Sequence, residues 1–415
     1  MSQQQHIAIV GAGIVGVSTA VWLLRAGHRV TLVDRQPPGE GTSFGNAGVL
    51  AACSVAPVTA PGMVRKAPKM LMDPNFPLFL RWSYLPKLTP WLLRYLSHAN
   101  VDDTRRIAEG LTPLIADSVE QHEALTRETE AARWVTRSDY SFAYPDRAAF
   151  DADGFTWGLR KRAGFTPELI EGAAVREAEP LLGEGIGLLA VMRDHGFVAA
   201  PGPYVKDLAR EVERLGGTFL QAELRDVAFV DGRVSELVLE GERLRCDRLV
   251  LATGVWSKPL AEKLGVTVPL ESERGYHILF EPEAEALRAP IMVTTGKFVA
   301  TPMADGLRCA GIVEFGGLEA GPSGKPLALL ERVVRSTFPG MQLKVKDTWL
   351  GHRPAPSDSL PIIGEIGGTG VFTGFGHHHV GLTAGPKTGR IIADLITDRR
   401  TNLDLSPYAP ERFTG

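Results

Sequence analysis

Three glycines and an aspartate near the start of the chain have the types and spacing of a dinucleotide site: Gly11, Gly13 and Gly16, followed by Asp34. The chemistry they allow is the binding of a pyrophosphate and its ribose. Gly11 permits a tight turn, Gly13 lets backbone N–H groups come close to a phosphate, and Gly16 lets a helix pack against a strand. Asp34 falls where a carboxylate accepts hydrogen bonds from an adenosine ribose. Toward the other end stand three consecutive histidines, His377, His378 and His379. They invite a metal reading. Adjacent side chains point apart, however, and no acid or cysteine cluster lies nearby in sequence, so no metal site is expected.

These residues need elements to position them. The run from Ile7 to Val10 suits a parallel strand covered on both faces, Ile14 to about Ala26 reads as a helix stopped by Gly27, and Arg29 to Val33 as a second strand. The helix presents its N-terminus to the phosphates. A segment dense in small and hydrogen-bonding residues follows from Gly39 to Leu50, and it can lie flat against a large planar ligand; its apolar continuation to Ala52 should be buried. In the middle of the chain a helix from Tyr204 to Leu215 precedes strands from Thr218 to Ala222, Val227 to Val230 and Val234 to Leu239. The apolar strand after them ends in Ala252-Thr253-Gly254, a close-approach turn at the sheet edge where open α/β folds bind ligands. Near the C-terminus the order strand, glycine turn and helix returns, from Val371 through Gly376 to a helix between Lys387 and about Thr397. Such a turn can set backbone donors beside a second polar end of the same ligand. No second GxGxxG follows a strand, so a single dinucleotide site is expected.

At 415 residues the chain has the length of two or three domains. A net charge of −3, with no block of lysine and arginine, gives no electrostatic case for nucleic acid. The polar start, Met1 to Gln5, leads straight into the first strand, so the expectation is an uncleaved, cytoplasmic chain. Cys53, Cys246 and Cys309 are odd in number and lack CxxC spacing, which argues against a disulfide framework or a zinc site and leaves them as small apolar fillers.

Taken together, the motifs resemble those of the D-amino acid oxidase and glycine oxidase superfamily of FAD enzymes, and within it the bacterial D-amino acid dehydrogenase small-subunit type. The resemblance spans almost the whole chain. It rests on Gly11 to Gly16 with Asp34, Thr42-Ser43 with Asn46-Ala47-Gly48, Ala252 to Ser257, Gly351 to Pro354 with Asp358 and Pro361, and Gly376 to Thr383. The resemblance implies an α/β fold with a Rossmann-like FAD-binding domain of glutathione reductase type and an inserted α+β substrate domain on an antiparallel sheet. The FAD domain would be discontinuous, comprising 1–75, 196–262 and 350–415, and the substrate domain would comprise 76–195 and 263–349. Noncovalent FAD is implied, since no cysteine follows Cys309. The expected cofactor contacts are Gly11, Ala12, Gly13, Ile14, Val15, Gly16, Asp34, Arg35, Thr42, Ser43, Asn46, Ala47, Gly48, Val49, Leu224, Thr253, Gly254, Trp256, Gly376, His378, His379, Val380, Gly381, Leu382 and Thr383.

A flavin takes a hydride from the carbon beside a neutral amine, and the resulting imine is hydrolysed by water to a ketone and ammonia. An amino acid must then be held by its carboxylate, a task suited to the planar fork of arginine. The family carries such an arginine in a Gly-Leu-Arg-Pro motif, where this chain has Gly351-His352-Arg353-Pro354. Arg353 is the candidate, with a structural ion pair as its alternative. Tyr276, on a strand of the substrate domain, is the candidate for covering the substrate or binding its carboxylate, against an ordinary half-buried strand tyrosine. His378 is placed to stabilise negative charge around flavin N1 and C2=O. The second arginine of glycine oxidase falls here in Val299-Ala300-Thr301-Pro302-Met303, which has none, so that enzyme's substrate is not carried over.

The stretch 76–96 is rich in aromatics and carries Arg81, Lys87 and Arg94, while Pro77, Pro86 and Pro90 exclude a spanning helix. A helical cap over the substrate domain is favoured over a membrane-surface patch that would reach a quinone from the inner face of the cytoplasmic membrane. The leading function is oxidative deamination of a D-amino acid, with a quinone or oxygen as electron acceptor. The alternatives are oxidation of a secondary amine of sarcosine, proline or hydroxyproline type, and a non-catalytic flavin subunit of a larger assembly.

Overall fold

The strand His6–Val10 is apolar because it runs through the middle of a sheet, with neighbours on both sides, helices over one face and the three-stranded sheet of Leu224–Val230, Arg233–Leu239 and Arg243–Arg245 over the other. In the computed structural model, which describes residues 4–413, the six-stranded sheet has the order Ile362–Glu365, Val371–Phe375, Arg248–Leu251, His6–Val10, Arg29–Asp34, Thr218–Gln221. All its pairings are parallel except the first, which is antiparallel. Of the polar start, Met1, Ser2 and Gln3 lie outside the described residues.

The helix Ile14–Arg25 is apolar on nearly every side since it is wedged between this sheet and the helix Gly381–Ile396. The two helices cross in near backbone contact. A Cβ at Gly385 would fall 2.7 Å from the Ile14 side chain, and one at Gly389 would fall 2.6 Å from Thr19 N. Small residues one turn apart therefore fix how closely the C-terminal helix approaches the dinucleotide turn.

That C-terminal helix begins at Gly381, earlier than the start expected at Lys387. Pro386 reads as a breaker, because it cannot donate to the carbonyl four residues earlier. Here the orphaned Leu382 carbonyl is taken instead by His122 Nε2 at 3.0 Å, while His122 Nδ1 lies 2.8 Å from the Tyr204 hydroxyl. Burial lowers the His122 pKa to about 4, so the ring stays neutral, with Nε2–H as donor.

The substrate-side sheet has ten strands. Its main path runs Val345–Pro356, Leu270–Phe280, Gly306–Phe315, Phe298–Met303, Ile291–Val293, Val135–Tyr144, Leu188–Val198, Val49–Leu50. It is antiparallel as expected, apart from two parallel pairings, Ile291–Val293 with Val135–Tyr144 and Gly306–Phe315 with Leu78–Leu80. The strands Leu188–Val198 and Val345–Pro356 run through the expected domain boundaries at 195/196 and 349/350. Likewise, the helices Val101–Ile115 and Ser118–Thr126 share their core with Ile14–Arg25 and Gly381–Ile396, on the dinucleotide side.

Within 76–96 the helix Leu85–Ser97 caps the substrate sheet. Trp91 and Tyr95 are only 6% and 5% exposed, stack on each other and pack on Phe315, and Trp91 Nε1 donates to Ala355 O at 2.9 Å. Those two rings therefore pack inward, as the favoured cap reading expects, while Trp82 and Leu93 remain exposed. No helix among the described residues is long and apolar enough to cross a membrane.

Candidate active site

One cavity of about 1260 Å³ runs between the two sheets. Its dinucleotide end is built as the glycines require. Gly11 has φ +111, and a Cβ there would sit 2.3 Å from Ala252 O; a Cβ at Gly16 would sit 1.8 Å from Gly11 O. Asp34 braces this turn by accepting from Ala12 N at 2.7 Å and from Gln36 N at 3.0 Å. No side chain caps the helix Ile14–Arg25 through its N-cap residue, its first turn holds no acid, and Ile14 N–H is met by Ser43 Oγ at 3.1 Å. The helix Gly381–Ile396 is equally uncapped and opens onto the same cavity. Two positive helix ends facing one elongated space suit a long ligand with anionic or electron-rich groups at two points.

Of the expected cofactor contacts, Gly11, Gly13, Ile14, Val15, Asp34, Arg35, Thr42, Ser43, Asn46, Ala47, Val49, Leu224, Thr253, Gly254, Trp256, Gly376 and the run from His378 to Thr383 line this cavity. Ala12, Gly16 and Gly48 are not among its lining residues. Arg35 stacks over the Trp256 ring at 4.7 Å.

The segment around Thr42 to Gly48 is held from the other sheet by residues that no local signal marked. Buried Arg308 donates from Nη1 to Phe44 O at 2.9 Å and to Asn46 O at 2.8 Å, and His277 Nδ1 meets Gly45 O at 3.0 Å. Trp349 stacks on His277 and leaves no room for a Cβ at Gly45, which would fall 1.9 Å from its ring. Burial lowers the Arg308 pKa to about 10 and the His277 pKa to about 4. The cradle is thus clamped by one cation and one neutral imidazole.

At the far end, the sheet register sets Arg353 directly opposite Glu273 and Gly351 opposite Gly275. Arg353 Nη1 donates to Glu273 Oε1 at 2.9 Å and to Ile312 O at 3.2 Å. The guanidinium lies flat over Gly275, where a Cβ would fall 2.3 Å from both Cζ and Nη2. The ion pair named as the alternative for Arg353 therefore exists, yet it occupies only one nitrogen. The residue still lines the cavity, and its Nε–Nη2 edge makes no hydrogen bond among the described residues.

Glu273 was missed from sequence and is the hub of this wall. Besides Arg353, its carboxylate lies 2.8 Å from His378 Nε2 and 2.8 Å from His379 Nε2. The expectation that adjacent histidines point apart needs correction: these rings are 4.2 Å apart and converge on one acid. The reason is local backbone, for His378 has φ +48, the left-handed region, which turns the chain between the two side chains. His377 does point away, to Thr388 Oγ1 at 2.9 Å. Burial pushes the Glu273 carboxyl up, but the adjoining His379 and His378 outweigh it and hold it well below the ordinary range. Burial drives His379 down to about 4, and the 38% of its side chain that remains accessible belongs to a residue lining the cavity. The donor atoms of Glu273, His378 and His379 lie within 4.8 Å of one another, a spacing that a metal could share, but Arg353 already supplies the positive charge beside this carboxylate.

Tyr276 also lines the cavity, although its hydroxyl is engaged within the protein. It donates to Glu314 Oε2 at 2.5 Å and accepts from Ser323 N at 3.0 Å. With Arg274 on the same carboxylate, this places Tyr276 as a strut of the wall rather than as a hydroxyl open to a ligand.

Comparison with known proteins agrees with this construction. Residues 6–395 match the DAO family, described as FAD dependent oxidoreductase. The chain is 38% identical over 424 residues to a D-amino-acid oxidase of Bradyrhizobium diazoefficiens, covering 100% of both chains. It is 31% identical over 420 residues to a D-amino acid dehydrogenase of Sinorhizobium medicae, covering 98% of this chain and 99% of that one. The crystal structure of glycine oxidase from Geobacillus kaustophilus has the same fold, with a TM-score of 0.75 at 20% identity over 99% of this chain and 100% of that one. So does that of L-proline dehydrogenase from P. horikoshii, at a TM-score of 0.75, 18% identity and coverage of 100% and 99%. The match from residue 6 to residue 395 leaves only the two ends outside it, and the chain belongs to the DAO family of FAD-dependent oxidoreductases.

Proposed function

We propose that the chain oxidises the Cα–N bond of a D-amino acid, with FAD held noncovalently, and releases an imine that water converts to a 2-oxo acid and ammonia. The residues present fit the cofactor. Two helix ends without a cap from their own N-cap residue face the cavity, Gly11 and Gly13 let the backbone approach a pyrophosphate, and the clamped segment from Thr42 to Gly48 lines the wall beside it. No cysteine is among the residues lining the cavity, and the histidines there are engaged within the protein, His377 with Thr388 and His378 and His379 with Glu273, which supports noncovalent binding.

The observation that carries the substrate reading is Arg353. Glu273 pins one nitrogen of a cavity-lining guanidinium whose Nε and Nη2 make no hydrogen bond among the described residues, so those two donors are left for a carboxylate to take as a bidentate pair. When bound, FAD supplies the hydride acceptor. The protein fixes the orientation: Arg353 holds the carboxylate, Gly275 leaves the room in which its guanidinium rests on the strand, and Glu273 keeps His378 and His379 hydrogen-bonded on the same wall. A fixed carboxylate beside a fixed ring lets one enantiomer alone present its Cα–H. The full-length relatives named for D-amino acids support the D form.

Anaerobic bleaching of the flavin absorbance by matched D and L substrates tests this. Reduction by the D series alone is expected; reduction only by N-methyl or cyclic amines would replace the reading with a secondary-amine activity, and no reduction by any of them would leave a non-catalytic flavoprotein. Peroxide formation in air then separates oxygen from a quinone as acceptor.

A further inference from the structure

A second arginine enters the same cavity from a different element and has no counter-ion among the described residues. Arg160, on the helix Gly154–Arg162, is only 7% exposed, yet its Nε and Nη1 are buried without a hydrogen-bond partner. Its guanidinium carbon lies 4.4 Å from the Phe142 ring centre and 4.5 Å from that of Trp157, and those two rings meet edge to face. Asp153, the acid at the start of the same helix, already accepts from the Tyr144 hydroxyl at 2.8 Å. The aromatic faces position the cation, but they satisfy none of its N–H groups. A buried guanidinium with unmet donors is costly unless an anion reaches it. Arg160 lines the cavity, together with Tyr140, which packs on Phe142 at 4.9 Å, and Thr156.

We propose that Arg160 binds a second carboxylate, carried by the side chain of the substrate, so that the preferred substrates are dicarboxylic amino acids. This rests on the assignment of Arg353 to the α-carboxylate. One unpaired guanidinium balances one negative charge, which favours a carboxylate over a phosphate dianion; Lys297, the other cation on this stretch of wall, is exposed. The planar fork matches a carboxylate bidentately, and the surrounding rings exclude the water that would otherwise screen the pair.

The test uses the FAD-loaded enzyme and two readouts. Calorimetry measures binding of the unreactive pair glutarate and butyrate, and anaerobic flavin reduction compares D-glutamate with D-glutamine. The wild type should bind glutarate at least about tenfold more tightly than butyrate, and Arg160→Met should erase that difference with butyrate affinity unchanged. Its kcat/KM for D-glutamate should fall by about tenfold or more relative to D-glutamine. Arg160→Lys, which keeps the charge and drops the fork, is the second variant and should retain a weakened preference for glutarate. Equal binding of the two acids by wild type, or parallel loss of both in either variant, would overturn the assignment. If glutarate selectivity depends on Arg160 while no D-amino acid reduces the flavin, the D-amino acid reading fails and the anion site stands.

Discussion

Replacing Arg353 by lysine separates the two functions that the guanidinium combines. In the structure Nη1 is spent on Glu273 at 2.9 Å and on Ile312 O at 3.2 Å, while Nε and Nη2 make no hydrogen bond among the described residues. A lysine has a single nitrogen, and the buried Glu273 carboxylate will retain it, because leaving that charge unpaired costs more than leaving the cavity without a donor. The ion pair and the fold therefore persist, and what disappears is the open fork. Two charge-assisted hydrogen bonds to the substrate carboxylate are lost, together worth about 3 kcal/mol, which is roughly 100-fold in kcat/KM. Because the fork orients Cα–H rather than merely adding affinity, the limiting rate of flavin reduction should fall along with the affinity. Stopped-flow reduction under anaerobic conditions with a D substrate, beside flavin content and Tm, measures each part. An unchanged limiting rate, or loss of flavin and stability in step with activity, would refute this reasoning and leave Arg353 as a structural ion pair.

Three further outcomes follow from the same geometry. Gly275→Ala places a methyl group 2.3 Å from the Arg353 guanidinium, which is the movable end of a side chain, so the fold and flavin content should survive while substrate KM rises; a KM unchanged in that variant would show that the flat seat is irrelevant. Asp34→Ala removes the acceptor for Ala12 N and Gln36 N and should weaken FAD retention, and Gly13→Val, whose Cβ would lie 3.3 Å from Ser43 Oγ on the cavity wall, should nearly abolish it; absorbance of the purified variants reads both, and full occupancy in the two would displace the site. Burial lowers His122, His277, His352 and His377 from 6.5 to about 4. Each therefore contributes stability that is complete above pH 6.5 and is lost as the pH falls toward 4, so Tm should drop steeply across that window; a flat Tm there would contradict neutral rings in the fold.

Much of the dinucleotide end was legible because its signals are local. Glycine spacing dictates backbone conformation within a few residues, and the strand, helix and Asp34 that follow are found where expected. The same logic failed at Pro386, where a local helix breaker is tolerated since His122, from a different helix, takes the freed carbonyl. It failed again at the histidine triplet, where one left-handed residue turned two rings toward the same acid.

The sequence by itself determined that a strand, a glycine turn and a helix form a dinucleotide site, that Arg353 in its Gly-His-Arg-Pro motif is the candidate for a carboxylate, and that the family chemistry is flavin oxidation. Only the tertiary structure decided what those groups touch. Glu273 meets Arg353 through the register of two strands far apart in sequence, Arg308 and His277 clamp the segment from Thr42 to Gly48 from the other sheet, and Arg160 enters the cavity unpaired from a helix with no motif. The physical reason is that spacing along the chain encodes backbone conformation, whereas the partner of a buried charge is set by sheet register and by the packing of separate elements, neither of which is written at any one position.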